Sequence, residues 1–466
     1  MGNVNKRIAE LELLLEAALK ENKELKAENA RLREIIARLE KNSGNSSKPP
    51  SSDIVKPPKA QKNKGKRKIG AQKGHKQNLR RPFDQTQVDK TIVLNLDTCP
   101  DCGENLQASD VPVDIHQQVE LVDKPYIVTE YQRPWYWCEH CKCFHSAKLP
   151  PVIKEAGLFG AKLMALTAYL KGCGHMSYKT IQAFFSDALL INVSTGFLAK
   201  QVFKVSEALA RPYQELVEQL PKEKHLHIDE TGGKENGVKR WNWCFRGKEI
   251  TVFRVAQSRG SSVLEKILGI GYVGIISCDF WGAYRKFSRL GLVVLQFCWA
   301  HLIREVKFLA ESTDKHVCGY GKRLLTEIKS MFTTIHRQGK ILDRNWHRRM
   351  ERHRQAILWE ARHDIPENKD AMNIAERLWK WEQEYFRFIE AGIPATNNLG
   401  EQSIRRIVLD RKVTQGTRSD WGNRWSERIW SVLATCDQRG INVMWFLKSC
   451  IESSLHGVAP PSFFDN

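Results

Sequence analysis

A chain of 466 residues is longer than one ordinary domain, and at about 150 residues per domain it predicts three. Its 73 Lys and Arg stand against 53 Asp and Glu, and this formal +20 points to a polyanionic partner, nucleic acid first and an acidic membrane surface second. The first forty residues carry charges throughout, and the longest apolar run, Ile267 to Cys278, falls short of the roughly 18 residues needed to cross a bilayer, so neither a signal peptide nor a membrane span is expected.

From Ile8 to Leu39 the apolar residues repeat every seven. Ile8, Leu15 and Ile36 take a positions, Leu11, Ala18, Leu25, Leu32 and Leu39 take d, and Asn22 and Asn29 fill the remaining a positions. A buried Asn at a pairs with its twin across a dimer, so residues 1–41 read as a parallel two-stranded coiled coil and predict self-association. The alternative is one amphipathic helix lying on its own domain. At Asn42 the chain turns to Ser, Pro and Asn with nothing to bury, and residues 42–90 read as an open, basic linker. Between Lys48 and Arg81 twelve basic residues face Asp53 alone; among them Lys64, Lys66, Arg67, Lys68 and Lys73 are candidate contacts to a phosphate backbone. A merely solvated charge run is the plainer reading.

Residues 91–150 carry two C-x-x-C pairs, Cys99 with Cys102 and Cys138 with Cys141. Each pair sets two thiolates on one tight turn, and two such turns close a tetrahedron around structural Zn²⁺. Redox or unrelated cysteines are the competing reading. The loop between the pairs, 35 residues, is long for such a site, and Cys143 or His145 can replace one ligand. Val111, Val113, Val119, Val122, Ile127 and Val128 predict a small β-ribbon in between. Residues 151–222 read as helical. A helix from about Tyr178, a break near Asn192 and a second helix capped by Ser194 give the outline of a DNA-reading helix-turn-helix, an outline that any helical hairpin shares.

At His225 the texture changes to strands. "HLHID", "RWNWCFR" and "EITVFRVA" are followed by a helix at "SSVLEKIL" and then by "YVGIISCD" and "LVVLQFCW". This order predicts a mixed sheet of the ribonuclease-H type over residues 223–301, resumed at 396–446 after an all-helical insertion, 302–395, that contains Trp346, Trp359, Trp379 and Trp381. The first strand is expected to end on Asp229 and the fourth on Asp279. If those strands are neighbours, the carboxylates meet, and like charges so close call for a divalent cation, Mg²⁺ or Mn²⁺. A third ligand is expected from a helix after the fifth strand, where Glu401, Arg405 and Lys412 share one face at about 3.6 residues per turn. Two metal ions about 3.5–4 Å apart suit phosphodiester chemistry. Glu230 points to the other side of its strand and reads as structural, the glycines after it as a turn away from the site. Glu427 is the alternative third ligand. Residues 447–466 read as a C-terminal tail.

"HIDET", "CDFWGAY", "NNLGEQSIRR" and "CPDCGENL…CEHC", behind a leucine-rich helix and "NSSKPPSSD", resemble in order the bacterial DDE transposases of the insertion sequence sixty-six type. That resemblance covers nearly the whole chain. It implies that Asp229, Asp279 and Glu401 are the catalytic metal triad, that Cys99, Cys102, Cys138 and Cys141 bind zinc, and that His301, in a C-x-x-H element with Cys298, has a subsidiary role. It also implies a cytoplasmic bacterial protein that binds the ends of its element, frees 3′-hydroxyls and joins them to target DNA, with accessory proteins encoded by the element as further partners. The chain departs from the family pattern at Gly400 and Gln402, where Ala and Arg are usual. A DNA-binding regulator derived from a transposase, or a metal-dependent nuclease without strand transfer, are the competing functions.

Overall fold

The computed structural model describes residues 2–40, 82–94, 96–98, 100–105, 113–339 and 342–464. The basic residues Lys64, Lys66, Arg67, Lys68 and Lys73 lie outside them, as do Cys99 and Val111. The described residues fall into two compact units, one within Pro58–Gln132 and the other made of Met1–Pro57 with Arg133–Asn466.

In the smaller unit a single antiparallel bridge, Thr98 to Asn105, closes a knuckle around Cys102. Phe83 is tied by both backbone groups to the Gln117 amide, at 2.7 and 2.9 Å. Among the described residues the expected β-ribbon does not form: residues 113–132 contain no strand, and Val113, Val119, Val122, Ile127 and Val128 are exposed. Alternating valines signal a strand only where a partner strand or a core covers one face, and among the described residues of this unit neither is present.

In the larger unit, α1 (Gly2–Glu40) is one continuous helix. Ile8, Leu11, Leu15, Leu25, Leu32, Ile36 and Leu39 are all exposed on it, so the stripe lies on no described part of its own chain. Strands β1 (Trp135–Cys138) and β2 (Cys143–Ser146) form a hairpin whose turn needs Lys142 at φ 52°. Five helices follow: α2 (Pro151–Ala156), α3 (Ala161–Gly172), α4 (Tyr178–Leu189), α5 (Thr195–Ala208) and α6 (Ala210–Gln219). Ser177 and Ser194 cap α4 and α5, each hydroxyl accepting a backbone N–H at 3.1 Å, and Leu190 at φ 55° makes the break between them.

The five-stranded sheet runs in the order β5-β4-β3-β6-β7, built from β3 (His225–Glu235), β4 (Val238–Arg246), β5 (Thr251–Ala256), β6 (Ile275–Cys278) and β7 (Val294–Phe297). β3 pairs antiparallel with β4 and parallel with β6; β6 pairs parallel with β7. The first strand does not end at Asp229. It continues through Gly232 and Gly233 to Glu235, and the chain reverses at Asn236 (φ 46°) and Gly237 (φ 82°). A Cβ on Gly233 would fall 2.5 Å from the Asn242 amide of β4, so that glycine marks a close approach across the ladder, not a turn.

Helices α7 (Ser261–Leu268) and α8 (Gly282–Leu290) cross between strands. The segment after β7 is helical: α9 (Trp299–Ala310), α10 (Lys315–Ile335), α11 (Asp343–Arg362), α12 (Lys369–Lys380), α13 (Glu382–Phe386) and α14 (Phe388–Ala391). The chain returns to the sheet through α15 (Asn398–Thr414), which packs on β3 and β4, and α16 (Asp420–Arg439), which covers β5. α16 caps the exposed edge of β5 with side chains: the N–H groups of Thr251, Phe253 and Val255 donate to Thr435, Ser431 and Glu427 at 3.1, 2.9 and 2.8 Å. Residues 447–466 are not a free tail. Most of α17 (Val443–His456) lies there, burying Phe446, Leu447, Cys450 and Ile451 against α2, α3 and α5. The helices after residue 150 therefore share one core with the sheet.

Candidate active site

Asp229 lies on β3 just beyond its last parallel pairing with β6, and Asp279 directly follows β6. Two neighbouring parallel strands thus deliver both carboxylates to one edge of the sheet. Glu401 stands in the first turn of α15. The start of that helix is pinned by a buried residue that the sequence reading passed over. The Asn397 amide donates to the Ile228 carbonyl at 2.7 Å and bonds His227 Nδ1 at 3.0 Å, while the Asn397 N–H donates to Cys298 Sγ at 3.1 Å. Gly400 permits this, since a Cβ there would approach the Asn397 side chain to 2.9 Å. The signal available in the sequence was the "NN" immediately before a helix.

Burial, and after it the charges of Glu230, Asp279 and Glu401, hold the Asp229 carboxyl well above the usual carboxylate range. Burial and Glu230 push Asp279 up to about 7, against the pull of Arg259. The acids are therefore within electrostatic reach of one another, and arginines draw two of them aside. Arg259 lies 3.5 Å from Asp279, and Arg304 lies 3.2 Å from Glu401. Glu230 is buried beside the aspartates: its carboxylate accepts from Arg259 Nε at 2.6 Å, the guanidinium that also reaches Asp279, and from the Tyr284 hydroxyl, and its charge acts on both aspartates. Glu427, the alternative ligand, is spent on the β5 edge and on Arg254 at 3.1 Å.

Among the described residues, two groups of side chains bring three possible ligand atoms within 4.8 Å of one another: Cys298 with His301 and Glu401, and Cys138 with Cys141 and His145. His301 thus belongs beside the third acid. Its Nδ1 is buried without a hydrogen-bond partner, 3.5 Å from Glu401, and burial, Arg304 and Arg377 push the ring down to about 3, so it is neutral. Burial raises the Cys298 thiol to about 11. At the hairpin, the Cys141 N–H donates to Cys138 Sγ at 3.4 Å, and hydrogen bonds from Cys141 and His140 lower the Cys138 thiol. His145 Nε2 lies 3.1 Å from Cys143 Sγ. Arg405 and Lys412 are exposed on α15.

The family described as "Transposase IS66 family" matches residues 156–424, more than half of the chain. The chain belongs to the IS66 transposase family. The zinc-finger binding domain of the IS66 transposase matches residues 97–142, which span all four C-x-x-C cysteines, and a family of unknown function matches residues 3–81. The chain is also similar to two uncharacterized proteins of Sinorhizobium fredii (strain NBRC 101917 / NGR234). It is 22% identical to y4qI over 78% of this chain and 72% of that one, and 21% identical to y4hP over 78% and 71%. Membership of this family implies use of divalent metal, and the zinc-finger match implies zinc. The donor types fit both: carboxylate oxygens at the acids, where the charges of Glu230, Asp279 and Glu401 add to burial in raising Asp229, and a Cys138 thiol lowered by hydrogen bonds from Cys141 and His140 at the hairpin. No described helix is long and apolar enough to cross a membrane.

Proposed function

We propose that this IS66 transposase cleaves the DNA ends of its own element to free 3′-hydroxyls and joins them to target DNA, with Asp229, Asp279 and Glu401 as the catalytic acids. What supports this reading is that the end of β6 and the first turn of α15 lie near enough to β3 for the charges of Asp279 and Glu401 to add to burial and Glu230 in raising the pKa of Asp229. The strand order supports a ribonuclease-H-like catalytic domain. Divalent ions, Mg²⁺ or Mn²⁺, supply Lewis-acid activation of the attacking oxygen and stabilisation of the leaving one. The chain's own part is to hold the carboxylates within one strand, at the end of its parallel neighbour and on a pinned helix, and to let Arg259 and Arg304 neutralise Asp279 and Glu401 until a cation competes for them. Glu230 keeps Arg259 in place. His301, neutral and unbonded at Nδ1, backs Glu401.

In this reading Zn²⁺ is held by Cys99, Cys102, Cys138 and Cys141, with His145 near enough to substitute. The arm with Lys64, Lys66, Arg67, Lys68 and Lys73, the α4–α5 pair, and Arg405 with Lys412 bind DNA. The α1 stripe pairs two subunits as a coiled coil, accessory proteins of the element assist, and the protein works in the bacterial cytoplasm. The test is purified protein with Mg²⁺ and DNA carrying the element's ends: nicking that leaves 3′-hydroxyls, followed by a joined product, is expected. Cutting with no joined product makes it a nuclease; binding with no cutting makes it a regulator.

A further inference from the structure

Next to the acids lies a cavity of about 460 Å³ that the reaction as proposed does not use. One wall is the chain after Asp279, with Phe280 and then Arg285 and Arg289 of α8; the other is α12 of the helical insertion with Arg377 and Lys380, and Trp381 just after it. Glu376 is the one acid in the lining, and Lys380 already neutralises it. Arg377 is paired with Glu305. Arg285 and Arg289 have no carboxylate within ion-pair distance among the described residues, and Arg285 Nε is buried without a hydrogen-bond partner. The guanidiniums lie against aromatic rings: Arg285 is 4.3 Å above Phe280, Arg377 is 4.2 Å from the same ring, and Arg289 is 5.8 Å from Trp381.

We infer that this cleft is a binding site for single-stranded DNA, taking one phosphodiester group and its neighbouring base from the strand that passes the catalytic acids. Three features favour that occupant. The unpaired positive charge asks for an anion, and ring-backed guanidiniums offer fixed forks suited to phosphate oxygens. Aromatic and guanidinium planes in one cavity are the usual platform for an unstacked base. The size is in the range of ligand pockets, about 300–1,000 Å³, which admits a nucleotide but not a stacked duplex. Phe280 directly follows Asp279, so the strand leaving the acids meets the cleft at once. The helical insertion thereby acquires a role, as the far wall of the strand's path. This inference rests on the nucleic-acid reading above.

The test uses the full chain without added metal and fluorescence anisotropy with a labelled oligo(dT) of about 15 nucleotides and a duplex of the same length. Arg289→Glu, an exposed position, is expected to weaken oligo(dT) binding about tenfold or more and duplex binding less than about twofold, with an unchanged thermal melt. Lys248→Glu, at the opposite edge of the sheet, is the control for net charge and should leave oligo(dT) binding within about twofold. Equal losses on both probes, equal losses in both variants, or no loss in either overturns the inference. Because binding is read without cleavage, a chain that fails to join strands still tests the cleft. Conversely, a wild type that joins strands beside an Arg289→Glu variant that binds oligo(dT) normally refutes the cleft alone.

Discussion

The role proposed for Asp229 can be tested apart from the fold. Asp229→Asn keeps the shape and removes a ligand charge, so cleavage should vanish while DNA affinity stays within about twofold in a gel-shift assay; undiminished cleavage removes Asp229 from the active site. The acids also set a pH dependence. Asp279 is raised from the ordinary 3.8 to about 7 and Asp229 is raised with it. A raised carboxyl favours the fold while protonated, so this contribution is complete below about pH 4 and lost as pH climbs through about 7. The metal-free melting temperature should therefore fall between about pH 5 and pH 8, and millimolar Mg²⁺ should raise it more at the upper end, since only ionised acids bind the ion. A Mg²⁺ effect independent of pH would refute that account. Glu427 makes a contrasting case. Its carboxylate satisfies the Val255 N–H and pairs with Arg254, so Glu427→Ala should lower stability in a denaturant titration by about 1–3 kcal/mol and leave Asp229, Asp279 and Glu401 in place. Residue types alone could not separate these acids. Asp229 and Asp279 could be placed near each other because strand order predicts which strands are neighbours, whereas the load on Glu427 depends on which helix covers which edge.

Elements were legible where periodicity and caps agreed. The expected starts, about Tyr178 and just after Ser194, are those of α4 and α5, and the strands appear in the expected order. The misread elements share a physical cause: the deciding contact is distant in sequence. Gly233 reads as a turn until Asn242 is seen to need its space. α17 reads as a tail until α2, α3 and α5 are seen to cover Phe446, Leu447, Cys450 and Ile451. The same logic yields a prediction in the insertion. Gly321 sits inside α10, where Ala is normally the better helix former, but a Cβ there would lie 2.4 Å from the Ala310 nitrogen of α9. Gly321→Ala should therefore destabilise by about 1–3 kcal/mol in chemical denaturation, by forcing α9 and α10 apart. A gain in stability would mean that the two helices are not so closely packed.

At the scale of the whole molecule, charge and length pointed to a modular nucleic-acid protein, and the family match agrees. The unpartnered stripe of α1 has a direct consequence. Seven exposed Leu and Ile at a and d positions are costly in water, and within one chain the Asn29 amide can only bond back to the Leu25 carbonyl, at 3.0 Å. Leu25→Asp with Leu32→Asp should shift sedimentation equilibrium from dimer to monomer without changing the melt of the remaining fold. A wild-type protein that is already monomeric at micromolar concentration would remove the coiled coil.

The insertion leaves the sheet at Cys298 and comes back at Asn397, and those two residues touch; next to them the Trp299 N–H donates to the Ala395 carbonyl at 3.2 Å. The excursion therefore begins and ends at a clasp. Closing a loop costs little more as it lengthens, about 0.6 kcal/mol per doubling, so the clasp insulates Glu401 from whatever lies between. The segment between Cys298 and Asn397 can therefore be lengthened, shortened or recast without moving Glu401.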